Sequence, residues 1–299
     1  MSSKRLNKVY SFFLNLKSQP MEIVLFLCAS FAIIILFLML FFVAREGTLA
    51  FSRFGPDLLF GMQWNLESNL FGGFPLLYGS LMVTFGALVI AIPIGVSTAI
   101  FVSEVLPFYL RDPIKSIIEL LASIPSVIYG FIGLLIVVPF ISSFFCLVSG
   151  QTALTASLIL SIMTIPTIVS VSGEIISAVP KEYKEAALGL GATKWETIKS
   201  IVLPISKSGI LASIMLGFGR AIGETIAVSM VAGNQAHTPS SYLEAVYTIP
   251  AFIATHMGEA PVGSLEYSAL FGLGLILLII TFIVNTLADI VVKRGVKHG

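Results

Sequence analysis

Long apolar runs dominate the pattern of this chain, and the polar positions fall into short stretches between them. The first run contains no charged residue and no small-residue cleavage site follows it, so we interpret it as an uncleaved helix rather than a signal peptide. At about 1.5 Å per residue, a run of this length crosses the roughly 30 Å hydrocarbon core of a bilayer. The predicted spans are Ile23–Ala44, Gly79–Val102, Ile114–Ile141, Thr152–Ile176, Ser208–Ala232 and Tyr267–Val291.

The distribution of lysine and arginine supports this division into six spans. Four of these residues precede the first span, two lie in the second connection, five in the fourth, and three follow the last span. The first connection holds two, and the third and fifth hold none. One side of the predicted topology therefore has fourteen of the seventeen, counting Lys115 at the very start of the third span with that side, and Arg220 alone lies deep inside a span. The positive-inside rule places the richer side, with both termini, in the cytoplasm.

Composition agrees with a membrane environment. Hydrophobic residues make up 57% of the 299 positions and charged residues 11%, whereas soluble domains have about 25% charged residues. We predict an all-α integral membrane protein with six transmembrane helices. We divide it into an N-terminal tail (1–21), a first helix (22–44), an outer loop (45–78), a core of five spans (79–291) and a C-terminal tail (292–299).

The fourth connection, here called the inner loop (residues 178–207), is too rich in helix formers to be a plain linker. Lys, Glu and Ala dominate residues 181–188, and Pro180 suits the position at which a helix begins. Gly189 and Gly191 permit a sharp change of direction. A second helix, starting at about Thr193, leads to the fifth span. We therefore predict two short helices joined by a turn.

Seven positions of the inner loop match the pattern E-A-A, three residues, G, nine residues, I-x-L-P. They are Glu185, Ala186, Ala187, Gly191, Ile201, Leu203 and Pro204. In this the chain resembles the permease subunits of binding-protein-dependent ABC importers. The resemblance implies the type I ABC importer permease fold, with this loop as the helix that couples to an ATPase. The sequence has no G-x-x-x-x-G-K-[ST] motif, so ATP hydrolysis would belong to a partner.

One stretch, Leu216–Gly233, is apolar enough for a span and yet contains Arg220 and Glu224. An arginine near the midplane costs about 2.5–3.5 kcal/mol on insertion scales, so it should serve a purpose. One interpretation is a structural ion pair, because Glu224 lies one helical turn further on the same face. The other is an anion site, because a guanidinium binds phosphate-like oxyanions through two parallel hydrogen bonds. The sequence leaves both open.

Prolines interrupt several spans, and the stretch SIPSVIYGFIG (Ser123–Gly133) combines a proline with two glycines. Kinked helices repaired by their neighbours are the simpler interpretation, whereas broken backbone that lines a pathway is the functional one. His237 and His256, in the fifth connection, have no clustered partners, so we expect no metal site. Hydroxyl groups near the kinks, or on the span of Arg220, are candidates for lining a path: Ser126, Tyr129 and Thr225.

Four stretches are similar to the permease subunits of phosphate importers, of the PstC type. They are GRAIGETIAVSMVAGN, FGGFPLLYGSL (Phe71–Leu81), SIPSVIYGFIG and TIPAFIATHMGEA (Thr248–Ala260). The resemblance implies a non-catalytic permease subunit of an ATP-driven phosphate importer in a prokaryotic inner membrane, with Arg220 and Glu224 involved in translocation. It also implies a second, PstA-like permease subunit, a PstB-like ATPase dimer that binds ATP and Mg²⁺, and an extracytoplasmic PstS-like binding protein. No cofactor is implied in this chain.

Three alternatives stay open at this point. An ABC importer of another oxyanion, such as molybdate, tungstate or sulfate, would have the same kind of inner loop. A secondary transporter would not need that loop, and such proteins often contain internal inverted repeats, which we do not find here. A part in a phosphate-sensing complex would leave no dedicated module in the sequence.

Overall fold

The computed structural model describes residues 20–296, and these residues are mostly helical. Within this range six helical segments are long and apolar enough to cross a membrane, as the sequence predicts. Large apolar side chains cover much of their exposed surface, which is what lipid tails would solvate. The predicted N-terminal tail lies outside the described residues except for its last two positions. The segments are Ile23–Phe54, Phe74–Val105, Ser126–Phe144, Ala153–Ser177, Lys194–Ile222 and Leu265–Leu287.

The first outer loop is more ordered than the sequence suggests. The first helix continues well past the predicted end of its span, and a short helix and a two-stranded antiparallel hairpin follow it. Close contact fixes this region to the last helix, since a Cβ atom added at Gly47 would lie 2.9 Å from Leu275 Cβ. These elements are α1 (Pro20–Phe54), α2 (Asp57–Phe60), β1 (Trp64–Asn65) and β2 (Leu70–Phe71).

Two long helices, α3 (Phe74–Ile100) and α7 (Ala153–Ser177), pack along each other at the centre of the bundle. Their backbones approach closely, because a Cβ atom at Gly95 would lie only 2.9 Å from Ile168 Cγ2. Each helix also contains an internal proline and remains continuous, so the backbone is not broken at these two prolines. A π-helical turn, Phe101–Val105, ends the span that α3 begins.

The third predicted span, Ile114–Ile141, was wrong in its first part. The backbone leaves the helical conformation at Ile124 and Pro125, whose ψ angles are 129° and 139°. Steric contact with a proline ring disfavours the helical conformation in the preceding residue. The chain therefore forms α4 (Phe108–Ser123), which is amphipathic and has no buried residue, before the span itself begins. That span comprises α5 (Ser126–Ile132), a π-helical turn (Gly133–Val137) and α6 (Val138–Phe144).

The fifth predicted span, Ser208–Ala232, was wrong as a continuous helix. Helix α10 (Leu203–Ile222) ends at Gly223, and α11 (Ile226–Val231) begins only after Thr225. Glycine is a poor helix former, and the two side chains after it bind nearby backbone groups instead of continuing the helix. Glu224 Oε1 accepts from the Ala227 amide at 3.2 Å, and Thr225 Oγ1 donates to the Gly223 carbonyl at 3.2 Å.

The inner loop contains the two predicted helices, α8 (Lys181–Gly189) and α9 (Lys194–Thr197). Helix α9 begins with a capping box, in which Thr193 accepts from the Glu196 amide and the Glu196 carboxylate accepts from the Thr193 amide. These reciprocal bonds satisfy amide groups that a helix start leaves free. A π-helical turn, Ile198–Val202, then leads directly into α10.

Two further helices complete the described chain: α12 (Ile249–His256) and α13 (Leu265–Val296). Helix α12 is too short to span a membrane, and its Phe252 is buried against the ring of Trp64 in the hairpin. Helix α13 continues past the predicted end of the last span at residue 291, so the predicted C-terminal tail begins as helix. Residues 297–299 of that tail lie outside the described residues.

Candidate translocation and coupling sites

Arg220 lies in the last turn of α10, directly before the break in that helix. Its Nη1 donates to Thr167 Oγ1 on α7 at 3.0 Å, and its Nη2 donates to the Ala122 carbonyl at 3.5 Å. Ala122 belongs to the last turn of α4, where carbonyl groups lack helical partners and carry partial negative charge. Arg220 as a whole is partly exposed. Its contacts are therefore neutral groups, and part of its hydrogen-bonding capacity stays available.

Glu224 does not pair with Arg220 in this structure, contrary to the structural ion pair considered from the sequence. Among the side chains that the structure describes, no carboxylate oxygen lies within the 4.0 Å ion-pair distance of the Arg220 guanidinium. The expected i, i+4 geometry requires a continuous helix, and α10 ends between the two residues. Glu224 instead accepts from the Ala227 amide, at the start of α11.

The three candidate hydroxyl groups have different surroundings. The Tyr129 hydroxyl donates to the Leu121 carbonyl at 2.8 Å and lies within electrostatic range of Arg220. Ser126 is the partly exposed first residue of α5. Thr225 Oγ1 is engaged with the Gly223 carbonyl in the second break. Tyr129 therefore helps to fix the end of α4, and the other two mark the positions at which α5 and α11 begin.

The two interrupted spans meet close to Arg220. A Cβ atom at Gly130 of α5 would lie 2.9 Å from Ala227 Cα and 2.8 Å from Met230 Sδ, both on α11. Further along, Gly133 is equally close to Ile159 and Val231. The breaks observed at Ile124–Pro125 and at Gly223–Thr225 thus belong to neighbouring segments. Together they bring Ser126, Tyr129, Arg220, Glu224 and Thr225 to one part of the bundle.

The sequence did not point to Thr167 or Ala122, the two groups that hold Arg220. Neither carries a charge or belongs to a motif, and a backbone carbonyl gives no signal in a sequence. The related observation that Ser123, Tyr129 and Arg220 bond three successive carbonyls at the end of α4 was equally hidden. Only the proline after Ile124 indicated that a helix end with free carbonyls would lie there.

The surface expected to couple to an ATPase is exposed. Helix α8 has no buried residue, and Glu185 and Ala186 lie on its exposed surface, with Ala187 partly covered. Because two of these side chains are small, another backbone could approach the helix closely. Of the motif's second half, Ile201 lies in the π-helical turn, and Leu203 and Pro204 begin α10. The motif therefore extends from an exposed helix into the start of a span.

Gly191 adopts φ +87°, a left-handed conformation that side chains with a Cβ atom disfavour. We expect Gly191→Ala to destabilise the turn between α8 and α9 by about 1–2 kcal/mol. Gly189→Ala is the matched control, because Gly189 has ordinary helical φ and open space around a Cβ atom. Hydrogen exchange of amides 186–193 should accelerate in the first variant and not in the second. Equal exchange in both would contradict the role of the φ angle.

The two histidines of the fifth connection have ordinary partners. His237 Nε2 lies 3.4 Å from Glu244 Oε2, and His256 stacks on Phe252 with its Nδ1 3.0 Å from the Phe252 carbonyl. Hydrogen bonds from Ser240, and to a smaller degree the neighbouring His237, lower the pKa of the Glu244 carboxyl. This small polar cluster organises the loop between α11 and α12.

Comparison with known proteins places the chain in a class. Residues 91–296 match the family described as binding-protein-dependent transport system inner membrane component, and the chain belongs to this family. A chain of a bacterial alginate ABC transporter, solved with a pentasaccharide-bound periplasmic protein, covers 95% of this chain and 99% of its own length. Its TM-score is 0.64 at 18% sequence identity, so that likeness concerns the fold alone.

Closer relatives are found by sequence. The phosphate transport system permease protein PstC of Pasteurella multocida is 40% identical over 264 residues, which cover 82% of each chain. The probable ABC transporter permease protein YqgH of Bacillus subtilis is 37% identical over 229 residues, covering 76% of this chain and 74% of that protein. The chain is therefore an ABC importer permease, a multi-pass membrane protein of a non-catalytic family.

Proposed function

We propose that this chain is the permease subunit of an ATP-driven importer of inorganic phosphate and forms half of its translocation path. The similarity to the PstC protein of Pasteurella multocida supports this substrate. The observation that carries the proposal is the position of Arg220, whose guanidinium rests on two neutral oxygen atoms beside two interrupted helices. A cation path would gain nothing from a fixed positive charge there.

Arg220 gives the path a binding site that is strong enough to admit an anion and weak enough to release it. Thr167 and the Ala122 carbonyl orient the guanidinium without neutralising it. Phosphate oxygens match its planar fork of N–H groups. In the proposed cycle, Glu224 pairs with Arg220 after the anion has left, which requires the break at Gly223 to rearrange. A path of this kind needs moderate, reversible binding.

The energy reaches the path through the inner loop. In the proposal, α8 presents Glu185, Ala186 and Ala187 to a cleft on a PstB-like ATPase, which binds ATP and Mg²⁺, and Gly191 preserves the turn behind it. A PstA-like subunit forms the other half of the path, and a PstS-like protein delivers phosphate from outside the cytoplasm. The charge distribution supports a cytoplasmic position for the inner loop, and membership of the family supports an inner membrane location.

The test is uptake of labelled phosphate into proteoliposomes that contain this chain, the second permease subunit and the ATPase. Binding protein is added outside and ATP inside. We expect uptake that needs ATP and that unlabelled phosphate inhibits, with sulfate and molybdate much weaker as competitors. If another oxyanion inhibits uptake in place of phosphate, the chain is still the permease of an importer, but that oxyanion is its substrate. Uptake that is independent of ATP would indicate a secondary transporter and contradict the proposal.

A further inference from the structure

An ion pair joins the inner loop to the spans. Lys184 Nζ on α8 lies 2.6 Å from Glu104 Oε1, in the π-helical turn at the end of α3, and the two side chains are 19% and 13% exposed. The residues are 80 positions apart in the chain. In the part of the chain that the structure describes, no other lysine or arginine forms an ion pair with a carboxylate. The pair is thus a specific long-range contact.

Apart from its neighbours in the inner loop, α9 and the π-helical turn Ile198–Val202, few contacts fix α8 to the rest of the molecule. No residue of this helix is buried, and its large side chains Tyr183 and Leu188 are about half exposed. Lys184 and Ala187 are the only two residues of α8 that are partly buried, and the others are exposed. Because the helix has no apolar face packed on the bundle, its position depends strongly on a polar contact. Partial burial also protects this ion pair from screening by salt.

The other side of the pair is firmly held. Next to Glu104, the buried Ser103 Oγ donates to the Gly173 carbonyl of α7 at 3.1 Å. The turn then closes with the Leu106 amide donating to the Phe101 carbonyl, and Arg111 Nε donates to the Leu106 carbonyl at 3.0 Å. These bonds tie the end of α3 to α7 and to the beginning of α4. The far end of α4 carries the Ala122 carbonyl that Arg220 binds.

We propose that Lys184 and Glu104 are positioning residues that make α8 move together with the ends of α3 and α4. A displacement of α8 is thereby passed to the helix end that orients Arg220. Coupling between distant sites needs such a contiguous set of rigid elements and specific contacts. The inference rests on the proposed function, in which α8 receives the movement of an ATPase. Removal of either charge leaves the other charge partly buried and without a partner. We therefore expect α8 to lose its fixed position relative to the spans.

The experiment compares the assembled transporter carrying Lys184→Gln, Glu104→Gln or the exchanged pair Lys184→Glu with Glu104→Lys. Lys181→Gln, an exposed lysine about one turn away on α8, is the matched control. The quantity measured is phosphate taken up per ATP hydrolysed. We expect this ratio to fall about tenfold in each single variant, to recover in the exchanged pair and to stay native in the control. A native ratio in the single variants would overturn the proposal.

Two further results distinguish a wrong role for the ion pair from a wrong substrate. An exchanged pair that assembles in native amount and yet keeps the low ratio would also overturn the role of the ion pair. If the native transporter takes up no phosphate, the proposed substrate is wrong, and hydrogen exchange of the α8 amides without substrate still tests the link. Exchange that accelerates in the single variants and recovers in the exchanged pair supports the link, and unchanged exchange contradicts it.

Discussion

Replacement of Arg220 by glutamine should abolish ATP-dependent phosphate uptake while the transporter assembles in native amount. Glutamine keeps a polar, uncharged amide at this position, and it removes the positive charge and the planar fork. Loss of a preorganised donor to a transient anion costs about a hundredfold or more in rate. Uptake into proteoliposomes, normalised to assembled complex, measures the effect. Native uptake in this variant would make the arginine structural.

Three companion variants separate binding of the anion from support of the fold. Arg220→Lys keeps the charge without the fork, so intermediate uptake is expected. Thr167→Val removes the hydroxyl that accepts from Arg220 Nη1 and should reduce uptake much less than Arg220→Gln. Equal loss in both would indicate that the contact itself, and not the anion, is what matters. Glu224→Gln should slow release of phosphate if Glu224 pairs with the arginine after transport.

Substitution of Gly130 by alanine should disrupt the contact between the two interrupted spans. An added Cβ atom would meet Met230 Sδ at 2.8 Å and Ala227 Cα at 2.9 Å. The methionine side chain can move, whereas the backbone of α11 can move only by displacing that segment. Overpacking at such a contact costs about 1–3 kcal/mol. We expect a lower thermal unfolding temperature of the purified chain and loss of transport, because α5 and α11 carry the candidate path residues.

Gly219→Ala is the matched control for this substitution. Gly219 lies in α10 next to Arg220, and a Cβ atom there would meet nothing within 4 Å. Alanine is favoured over glycine inside a helix by about 1 kcal/mol, so this variant should be as stable as the native chain or slightly more stable. Comparable destabilisation by both alanines would show that the close approach of α5 and α11 is unimportant.

The sequence determined the number of spans and the character of the inner loop. Uninterrupted apolar length over Ile23–Ala44 is sufficient for a membrane helix, because the bilayer fixes the required length. The two helices of the inner loop were equally predictable, because Pro180 and the Thr193 capping box depend only on residues that are close together in the sequence. The presence of Arg220 in an apolar segment marked the candidate site, because an unexplained charge there is costly.

Tertiary structure decided where the fifth span breaks and what surrounds the charge. At Ile124 the charged residues of α4 and the following proline were local signals of a helix end. Both sides of Gly223 are largely apolar, so hydropathy could not show that the chain leaves the helix there. The choice between an ion pair with Glu224 and contacts with Thr167 and Ala122 depends on that break, which removes the one-turn spacing. The contact of Lys184 with Glu104 was also invisible, because a pairing 80 residues apart depends on how α3 and α8 meet in space. Local signals fix helices, whereas long-range packing alone determines which partners a buried or half-buried charge can reach.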